Sequence, residues 1–478
     1  MFIRLLLLAA VAVGVAGRAA AAEPTRAELE ERVRRLERII EEKGLDQKGA
    51  VPEASADDPV LPRSEVDALV EDKLKKQKVL AGWQDGFFLQ SPGGDFKMKL
   101  RGYLQVQSRN FPLHDSKTGN DTIFLRRARP IIEGSVYKYF DYRFMFDFGQ
   151  GAANVQDAYM RVNYLPYAAP IIGKFKSPLS LERLQSGAEL DFVERSLVNN
   201  LAPNREVAGA LGGTFLGERV TYQLGIFDGA IDGRSIDGDV NSDKDFQGRL
   251  FVEPFKGTEL KPLAGLGVGI AGTYGNARGE NYNALNYRTA GGATFFRFPT
   301  SSTVSVTANG QRSRISPGAY YYWGPFGAMG EYIQNHTPLK RTQTQSSGPT
   351  LVSETDFDDA GWFLQASWVL TGEQATYKQV VPINAFDPRN GRWGAFELAG
   401  RVSQVHIDHD VFEDGFASQA GGSATKATAF TGGINWYLNR NFKIQLNWEH
   451  TEFGQKLPLN GMDRGSEDAR LTQFQIAY

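Results

Sequence analysis

The amino-acid sequence predicts an all-β protein, a transmembrane antiparallel β-barrel of about 16 strands, preceded by an N-terminal α-helical coiled-coil segment. Three observations predict this fold. Apolar and polar residues alternate in segment after segment from Trp83 to Tyr478. Aromatic residues make up 12% of the 478 residues and glycine contributes 52 of them, while mean hydropathy is only -0.35. Beyond the N-terminus the sequence lacks apolar runs of helix-spanning length, as expected when lipid-facing residues occupy every second position.

The alternation is clearest in four segments: 97–107, 140–148, 219–226 and 442–449. In the second of these, Phe and Tyr residues oppose the charged Asp141, Arg143 and Asp147. A soluble sheet with one wet face would alternate as well. The charges favour a barrel, because a packed sandwich core would reject them and a water-filled lumen accepts them. Roughly 395 residues at about 10 per strand plus loops suit about 16 strands, with about 14 or 18 as alternatives.

Loops and strand ends complete the predicted barrel. Four polar, glycine- or serine-rich stretches are expected to be exposed loops: 228–245, 276–300, 338–358 and 408–426. Aromatic residues at strand ends are expected to form the girdle that barrels place at the membrane interface. They include Trp323, Trp362, Trp368, Trp436 and Tyr437.

The N-terminus predicts export and a helical stalk. In residues 1–22, Arg4 precedes an apolar run too short to span a bilayer and an Ala-Ala-Ala cleavage site, which indicates a signal peptide. Residues 23–82 are interpreted as a periplasmic coiled-coil stalk with its linker, and residues 83–478 as the barrel. The seam of the coiled coil is Leu29, Val33, Leu36 and Ile40.

Composition and motifs exclude several other classes. The net charge of -2 gives no sign of nucleic-acid binding, and the absence of cysteine excludes disulfides, thiolate metal sites and cysteine nucleophiles. Residues 237–245 resemble a calcium loop, but Ser242 stands where that loop needs glycine. His406 and His409 are interpreted as polar residues of a loop end. We expect no metal, no cofactor and no enzymatic activity, because the sequence has no P-loop, GxSxG or HExxH motif.

Four long segments of the barrel region are FLRRARPIIEGSVYKYFDYRFMFDFG (124–149), IIGKFKSPLSLERLQSGAELDFVERS (171–196), GWFLQASWVLTGE (361–373) and GINWYLNRNFKIQLNWEHT (433–451). Together they resemble the phosphate-selective porin O and P family. The resemblance implies a trimeric, 16-stranded outer-membrane channel in which arginines project into a narrow constriction. A guanidinium suits this task because it stays charged and presents a planar fork of donors to phosphate oxygens.

The resemblance also implies which residues form the constriction. They are Arg101, Arg126, Arg127, Asp157, Arg183, Ser186 and Arg195. Asp157 matches an acidic residue that limits how tightly an anion is held, Arg183 stands where the best-known members have lysine, and Gly187 where a second hydroxyl would lie. Lys174 and Lys176 alternate on the predicted lumen side of their strand and are expected to feed anions inward. The alternative for each arginine is a structural lumen charge paired with Asp or Glu.

The sequence therefore predicts a porin of the bacterial outer membrane, with its stalk in the periplasm, for passive diffusion of small anions such as inorganic phosphate. Two alternatives remain open: a general or sugar-type porin with weak ion selectivity, and a structural barrel that tethers the envelope. The expected partners are small anions, outer-membrane lipid, further copies of the chain in a homotrimer, and peptidoglycan contacted by the stalk.

Overall fold

The computed structural model describes residues 79–111, 119–239 and 241–478. The signal peptide and the coiled-coil seam lie outside the described residues, so both stay predictions. The chain divides into two units, Met1–Met98 and Lys99–Tyr478. In the first unit, an antiparallel hairpin pairs Leu80 with Gln90 and Trp83 with Phe87 around a tight turn.

Strands make up nearly all of the regular structure. In chain order they are β1 (Leu80–Trp83), β2 (Phe87–Gln90), β3 (Phe96–Asn110), β4 (Thr122–Val136), β5 (Phe140–Asp147), β6 (Asn154–Val162), β7 (Ala169–Lys176), β8 (Arg205–Phe215), β9 (Val220–Phe227), β10 (Asp245–Val252), β11 (Leu266–Asn281), β12 (Asn286–Arg288), β13 (Thr294–Arg297), β14 (Val304–Trp323), β15 (Phe326–Gln343), β16 (Leu351–Val369), β17 (Ala395–Ile407), β18 (Lys426–Tyr437), β19 (Phe442–Leu459) and β20 (Met462–Ala477).

Sixteen of these strands form a closed antiparallel barrel, which confirms the predicted fold and strand number. Each barrel strand pairs with its neighbours in the chain, and β12 and β13 form a separate hairpin between β11 and β14. The last strand, β20, pairs with β3 from Arg470 opposite Asn110 to Ala477 opposite Tyr103, and this pairing closes the sheet. Closure leaves the barrel without an unpaired edge.

The alternation predicted from the sequence is confirmed on β19. Lys443, Gln445 and Glu449 are buried inside the barrel, whereas Leu446 and Trp448 are half-exposed on its outer face. A membrane barrel requires this arrangement, because lipid meets only the outer face.

Some of the predicted surface features are wrong. Tyr437 does not join an outer aromatic girdle, because its side chain is buried inside and its hydroxyl donates to Glu397 (2.7 Å). Most of the stretch 338–358 is not a loop, since β15 and β16 extend through much of it. The alternation of apolar and polar residues does not reveal the full lengths of β15 and β16, because the polar outer ends of strands resemble loops in sequence.

Residues 177–204, which connect β7 to β8, fold into the lumen and are called here the constriction segment. The segment contains the helix α1 (Leu181–Leu184) and a 3₁₀ turn (Leu197–Leu201). At the start of α1, the carboxylate of Glu331 on β15 accepts hydrogen bonds from the backbone N–H groups of Leu181 (2.7 Å) and Glu182 (3.2 Å). These are orphan donors of a helix N-terminus, so Glu331 caps α1 from the barrel wall.

Side chains of the opposite wall hold the rest of the constriction segment by its backbone. Lys443 and Gln445 on β19 both donate to the carbonyl oxygen of Leu190, at 2.9 and 3.1 Å. Asn435 on β18 donates to the carbonyl of Asp191 at 2.8 Å. A buried loop needs such partners, because it lacks a ladder to satisfy its peptide groups.

A second inward segment, residues 282–298, corrects the prediction that 276–300 is an exposed loop. Phe295, Phe296 and Phe298 are 0% exposed, and Phe296 stacks on Phe357 of β16 with ring centroids 5.5 Å apart. Leucine and valine side chains of the constriction segment belong to the same buried cluster. The two segments therefore share one apolar core that fills part of the lumen.

The two inward segments are also joined directly. Asn200 donates from its side-chain amide to the carbonyl of Arg288 (3.0 Å) and accepts from the Arg288 N–H (3.1 Å). This reciprocal pair imitates one step of a β-ladder.

The remaining described helical elements are short. They are α2 (Asp410–Glu413) and the 3₁₀ turns Gly149–Gly151, Lys261–Leu263, Tyr282–Ala284 and Pro388–Asn390. None of the described helices is long and apolar enough to cross a membrane. Val411 and Phe416 in and beside α2 are buried, so part of the stretch 408–426, predicted as an exposed loop, also packs inward.

The second inward segment is expected to stabilise the barrel through its aromatic residues. Phe296→Ala should lower the free energy of unfolding by about 3–5 kcal/mol, because it opens a cavity in the shared apolar core. Urea titration of the protein refolded in detergent micelles would measure this change. Ile383→Ala, at a residue that is 74% exposed, is the control and should change it by less than about 0.5 kcal/mol. Equal effects of the two substitutions would contradict the packing described here.

Candidate functional site

A cavity of about 880 Å³ lies inside the barrel, with the constriction segment along one side and residues of β3 to β8 along the other. Ten of its lining residues are basic, namely Arg109, Arg126, Arg127, Arg129, Arg143, Lys176, Arg183, Arg195, Arg205 and Arg288. Four are acidic, namely Asp147, Asp157, Glu189 and Glu194. The cavity is thus strongly cationic, although the whole chain carries a formal charge of -2.

A local irregularity brings two consecutive arginines of β4 into this cavity. Ile123 and Leu125 are 75% and 38% exposed, and regular alternation would place Arg127 on the same outer face. Arg127 is instead 3% exposed and lines the cavity. The alternation therefore shifts by one residue between Leu125 and Arg127, as it does at a β-bulge. The turn after β5 packs here so closely that a Cβ on Gly149 would lie 2.6 Å from the carbonyl oxygen of Arg126.

The neighbouring strand pair has a second irregularity at the same cavity. Met145 of β5 lies opposite Asp157 of β6, but the next residue, Phe146, lies opposite Val155, so Gln156 has no partner in the register. Gln156 and Asp157 both line the cavity. Bulges are common beside functional sites because they redirect side chains.

Glu194 of the constriction segment forms an ion pair with the first of the β4 arginines. Arg126 donates to both carboxylate oxygens, from Nε at 2.5 Å and from Nη2 at 2.9 Å. Arg127 Nη2 lies farther away, at 3.7 Å. Burial alone would raise the pKa of the Glu194 carboxyl, but the charge and hydrogen bond of Arg126, with the charge of Arg127, lower the pKa to about 2. Glu194 is therefore ionised at neutral pH.

Asp157 lies between two arginines. Arg205 on β8 donates to one of its oxygens from Nε at 2.7 Å, and Arg143 on β5 donates to the other from Nε at 3.1 Å. Arg129 is similarly bound to Asp147, with 2.7 Å between Nε and Oδ2. These arginines match the alternative stated for any porin, a lumen charge paired with a carboxylate.

Three other cations of the cavity are bound differently, since they donate to backbone carbonyl oxygens. Lys176 contacts the carbonyls of Leu184 and Gln185, both at 2.9 Å, and Arg195 contacts the carbonyl of Gln185 at 2.6 Å. Arg183 donates to two carbonyls at the 3₁₀ turn, at 2.5 and 2.9 Å. Carbonyl oxygens satisfy these donors without cancelling their charge.

Burial lowers the pKa of both arginines of the constriction segment. It lowers the pKa of the Arg183 guanidinium to about 9 and also lowers the pKa of Arg195. A pKa of about 9 leaves Arg183 charged at neutral pH. Across residues 79–111, 119–239 and 241–478, no carboxylate forms an ion pair with Lys176, Arg183 or Arg195.

Most of the residues expected at the constriction line this cavity, and two do not. Arg126, Arg127, Asp157, Arg183, Ser186, Arg195 and Lys176 do so. Arg101 lies outside the cavity lining, 40% exposed at its side chain and paired with Glu133 at 3.1 Å. Lys174 also lies outside it and forms an ion pair with Asp237. The role of each residue in conduction stays a prediction.

Several lining residues were missed by the sequence reasoning. Arg129 follows Arg127 by two positions, and Arg143 lies on the polar face already recognised in 140–148, so the period of two could have found both. Alternation could not identify the other two arginines. Arg205 is the first residue of its strand, and Arg288 lies in the second inward segment. Glu194 belongs to a segment without periodicity.

Comparison with known proteins identifies the family. The family model for phosphate-selective porin O and P matches residues 96–478. The chain belongs to this family. Porin O of Pseudomonas aeruginosa is 25% identical over 416 residues, which cover 80% of this chain and 89% of that protein. The chain is thus an outer-membrane porin.

The fold resembles solved outer-membrane channels. The outer membrane channel DcaP of Acinetobacter baumannii superposes with a TM-score of 0.50, over 84% of this chain and 100% of that chain, at 7% identity. At such low identity the likeness concerns the fold alone.

Glu194 is expected to reduce the positive charge of the cavity. Glu194→Gln should raise the anion-to-cation permeability ratio about fivefold, because it removes a negative charge within about 4 Å of the arginines. Zero-current potentials of the purified protein in a planar bilayer under a salt gradient would measure the ratio. Since the pKa of Glu194 is about 2, the ratio of the unmodified protein should not change through this group between about pH 7 and pH 4.

A matched control separates this local effect from a general change in charge. Glu218→Gln removes a carboxylate that is 72% exposed in the turn between β8 and β9. That substitution should leave the permeability ratio unchanged. A ratio that is the same in the Glu194→Gln variant and the unmodified protein would contradict the assignment of Glu194 to the ion path.

Proposed function

We propose that this porin passes small anions, inorganic phosphate among them, by passive diffusion through the cationic cavity. The observation that carries the proposal is the excess of ten basic over four acidic side chains in its lining. Arginine and lysine rings in a narrow bore favour anions, because the surrounding low dielectric strengthens their field. The family to which the chain belongs supports the same solute class.

The two kinds of cation suggest a division of roles. Arg126, Arg129 and Arg205 are paired with carboxylates, so they shape the wall and contribute little net field. Lys176, Arg183 and Arg195 donate to backbone carbonyls and have no carboxylate partner among the described residues, and an anion can replace part of its hydration shell with their donors. The uncompensated cations are therefore the residues that we assign to anion attraction.

Release of the anion is as important as its attraction. Asp157 lies within hydrogen-bonding distance of Arg143 and Arg205, so its charge competes with a passing anion for the same donors. Several sites of moderate strength conduct better than one tight site, because the ion must also leave. We assign to Asp157 the role of limiting how tightly an anion is held.

Lys176 offers a direct test because Lys174, two residues away on β7, is a matched control. Lys176→Gln should lower the anion-to-cation permeability ratio about fivefold, the effect of one unit charge about 4 Å from the ion path. Lys174→Gln should leave the ratio unchanged, since Lys174 is paired with Asp237 outside the cavity. Lys176→Arg keeps the charge and should keep the selectivity. The measurement is again the zero-current potential in a planar bilayer, with chloride and then with phosphate as the anion.

The outcomes separate the alternative functions. Cation preference in the unmodified protein would overturn anion passage, and equal permeability would indicate a general or sugar-type porin. A purified barrel without conductance would favour the tethering role. Equal effects of the Lys176→Gln and Lys174→Gln substitutions would reject the assignment of Lys176.

We also propose that the chain is a homotrimer surrounded by outer-membrane lipid, with residues 23–82 as a periplasmic stalk that reaches peptidoglycan. The heptad seam at Leu29, Val33, Leu36 and Ile40 supports the oligomer. Native mass spectrometry of the full chain in detergent should give three times the monomer mass, and removal of 23–78 should lower the temperature at which the oligomer dissociates. A monomer mass for the full chain would contradict the proposal.

A further inference from the structure

We propose that Gln105 is a positioning residue that fixes Arg127 in the cavity wall without adding a negative charge beside it. The inference rests on the proposed anion function and adds to it a selectivity determinant outside the set of charged residues. It depends on the difference between a carboxamide and a carboxylate, which have nearly the same shape and differ in charge.

Arg127 is held by a neutral acceptor. Its Nη1 donates to the side-chain oxygen of Gln105 at 2.7 Å, and both side chains are almost fully buried. The nearest carboxylate is that of Glu194, 3.7 Å from Nη2, and that group already accepts two shorter hydrogen bonds from Arg126. Arg127 therefore has a fixed position without a carboxylate of its own.

The other arginines of β4 differ in this respect. Arg126 is bound to Glu194 and Arg129 to Asp147, in both cases through Nε with an oxygen 2.5 to 2.7 Å away. Of the three arginines, Arg127 is the one whose short hydrogen bond goes to a neutral amide oxygen and not to a carboxylate. A carboxylate at position 105 would pair with Arg127 as Asp147 pairs with Arg129, and it would cancel the charge that faces the cavity.

The orientation of the Gln105 amide is fixed by its other contacts. Its nitrogen donates to the carbonyl of Gly187 (2.8 Å) and to the side-chain oxygen of Gln475 (2.6 Å). Because both of these partners are acceptors, the nitrogen faces them and the oxygen faces Arg127. Gln475 in turn donates to the carbonyl of Ala188 at 2.9 Å, so the amide pair also holds the constriction segment.

Gly187 allows the close approach on which this arrangement depends. A Cβ on Gly187 would lie 3.1 Å from the Tyr103 hydroxyl and 3.5 Å from Arg127 Nε. The first of these distances is shorter than ordinary van der Waals contact, so a side chain there would displace its neighbours. The family resemblance suggests a hydroxyl side chain at position 187, but the side chains of Arg127 and Tyr103 border the space that it would need.

The experiment compares Gln105→Glu, Gln105→Leu and a matched control, Gln473→Glu, as full-length proteins in planar bilayers. Gln473 is a buried carboxamide on β20 that donates to Gln445 (2.9 Å) and does not line the cavity. Gln105→Glu should lower the anion-to-cation permeability ratio about fivefold. Gln105→Leu places no charge beside Arg127, so it should keep the ratio within about twofold while the phosphate concentration that half-blocks chloride current rises about fivefold. Gln473→Glu should leave the ratio unchanged.

The results distinguish a failure of this inference from a failure of the proposed function. An unmodified protein without anion preference would overturn the proposed function itself. An anion-selective protein whose Gln105→Glu variant keeps the full ratio would overturn the role of Gln105. An equal fall in the Gln473→Glu variant would also overturn it, because any buried carboxylate would then have the same effect. Heat-dependent migration on detergent gels verifies that each variant is folded before its ratio is measured.

Discussion

Hydrogen bonds from the barrel wall to the backbone of the constriction segment are the interaction on which the rest of the structure depends. A loop inside a barrel has peptide groups that neither water nor a β-ladder satisfies, and each would be costly if left alone. Lys443, Gln445 and Asn435 donate to its carbonyls from one side, and Glu331 accepts from its amides at α1. With the backbone held in this way, the segment has a fixed position from which Glu194 and Arg195 reach the cavity.

This attachment divides the lumen into two parts with different chemistry. On one side the aromatic residues of the second inward segment and the leucines of the constriction segment form a dry core. On the other side the basic side chains line an open cavity. A barrel of about 16 strands would otherwise enclose a wide aqueous channel. The apolar core therefore fills part of the lumen beside the cavity, and such low-dielectric surroundings strengthen the field of the cations that line it.

The sequence could predict the barrel and part of the site, for reasons visible in single residues. Alternation on β19 identifies its outer and inner faces, because a period of two requires only the local chain. A period of two does not distinguish Lys174 from Lys176, since they are two positions apart on one strand and only the fold decides that one meets Asp237 and the other the constriction segment. It also cannot reveal that Phe296 is buried, because an aromatic run between strands looks the same in an outer loop as in a lumen core.

The shift in alternation at Arg126 and Arg127 has a consequence for the charge of the cavity wall. Inward-facing residues of a regular strand are about 6.6–6.8 Å apart along the chain, whereas the Cα atoms of adjacent residues are about 3.8 Å apart. The Cα atoms of two neighbouring inward-facing arginines are therefore separated by little more than half the usual step. The single carboxylate of Glu194 can therefore act on both arginines at once, since it binds Arg126 directly and lies 3.7 Å from Nη2 of Arg127. Deleting Arg126 or Arg127 would restore regular alternation along β4 and leave a single arginine facing the cavity at this place.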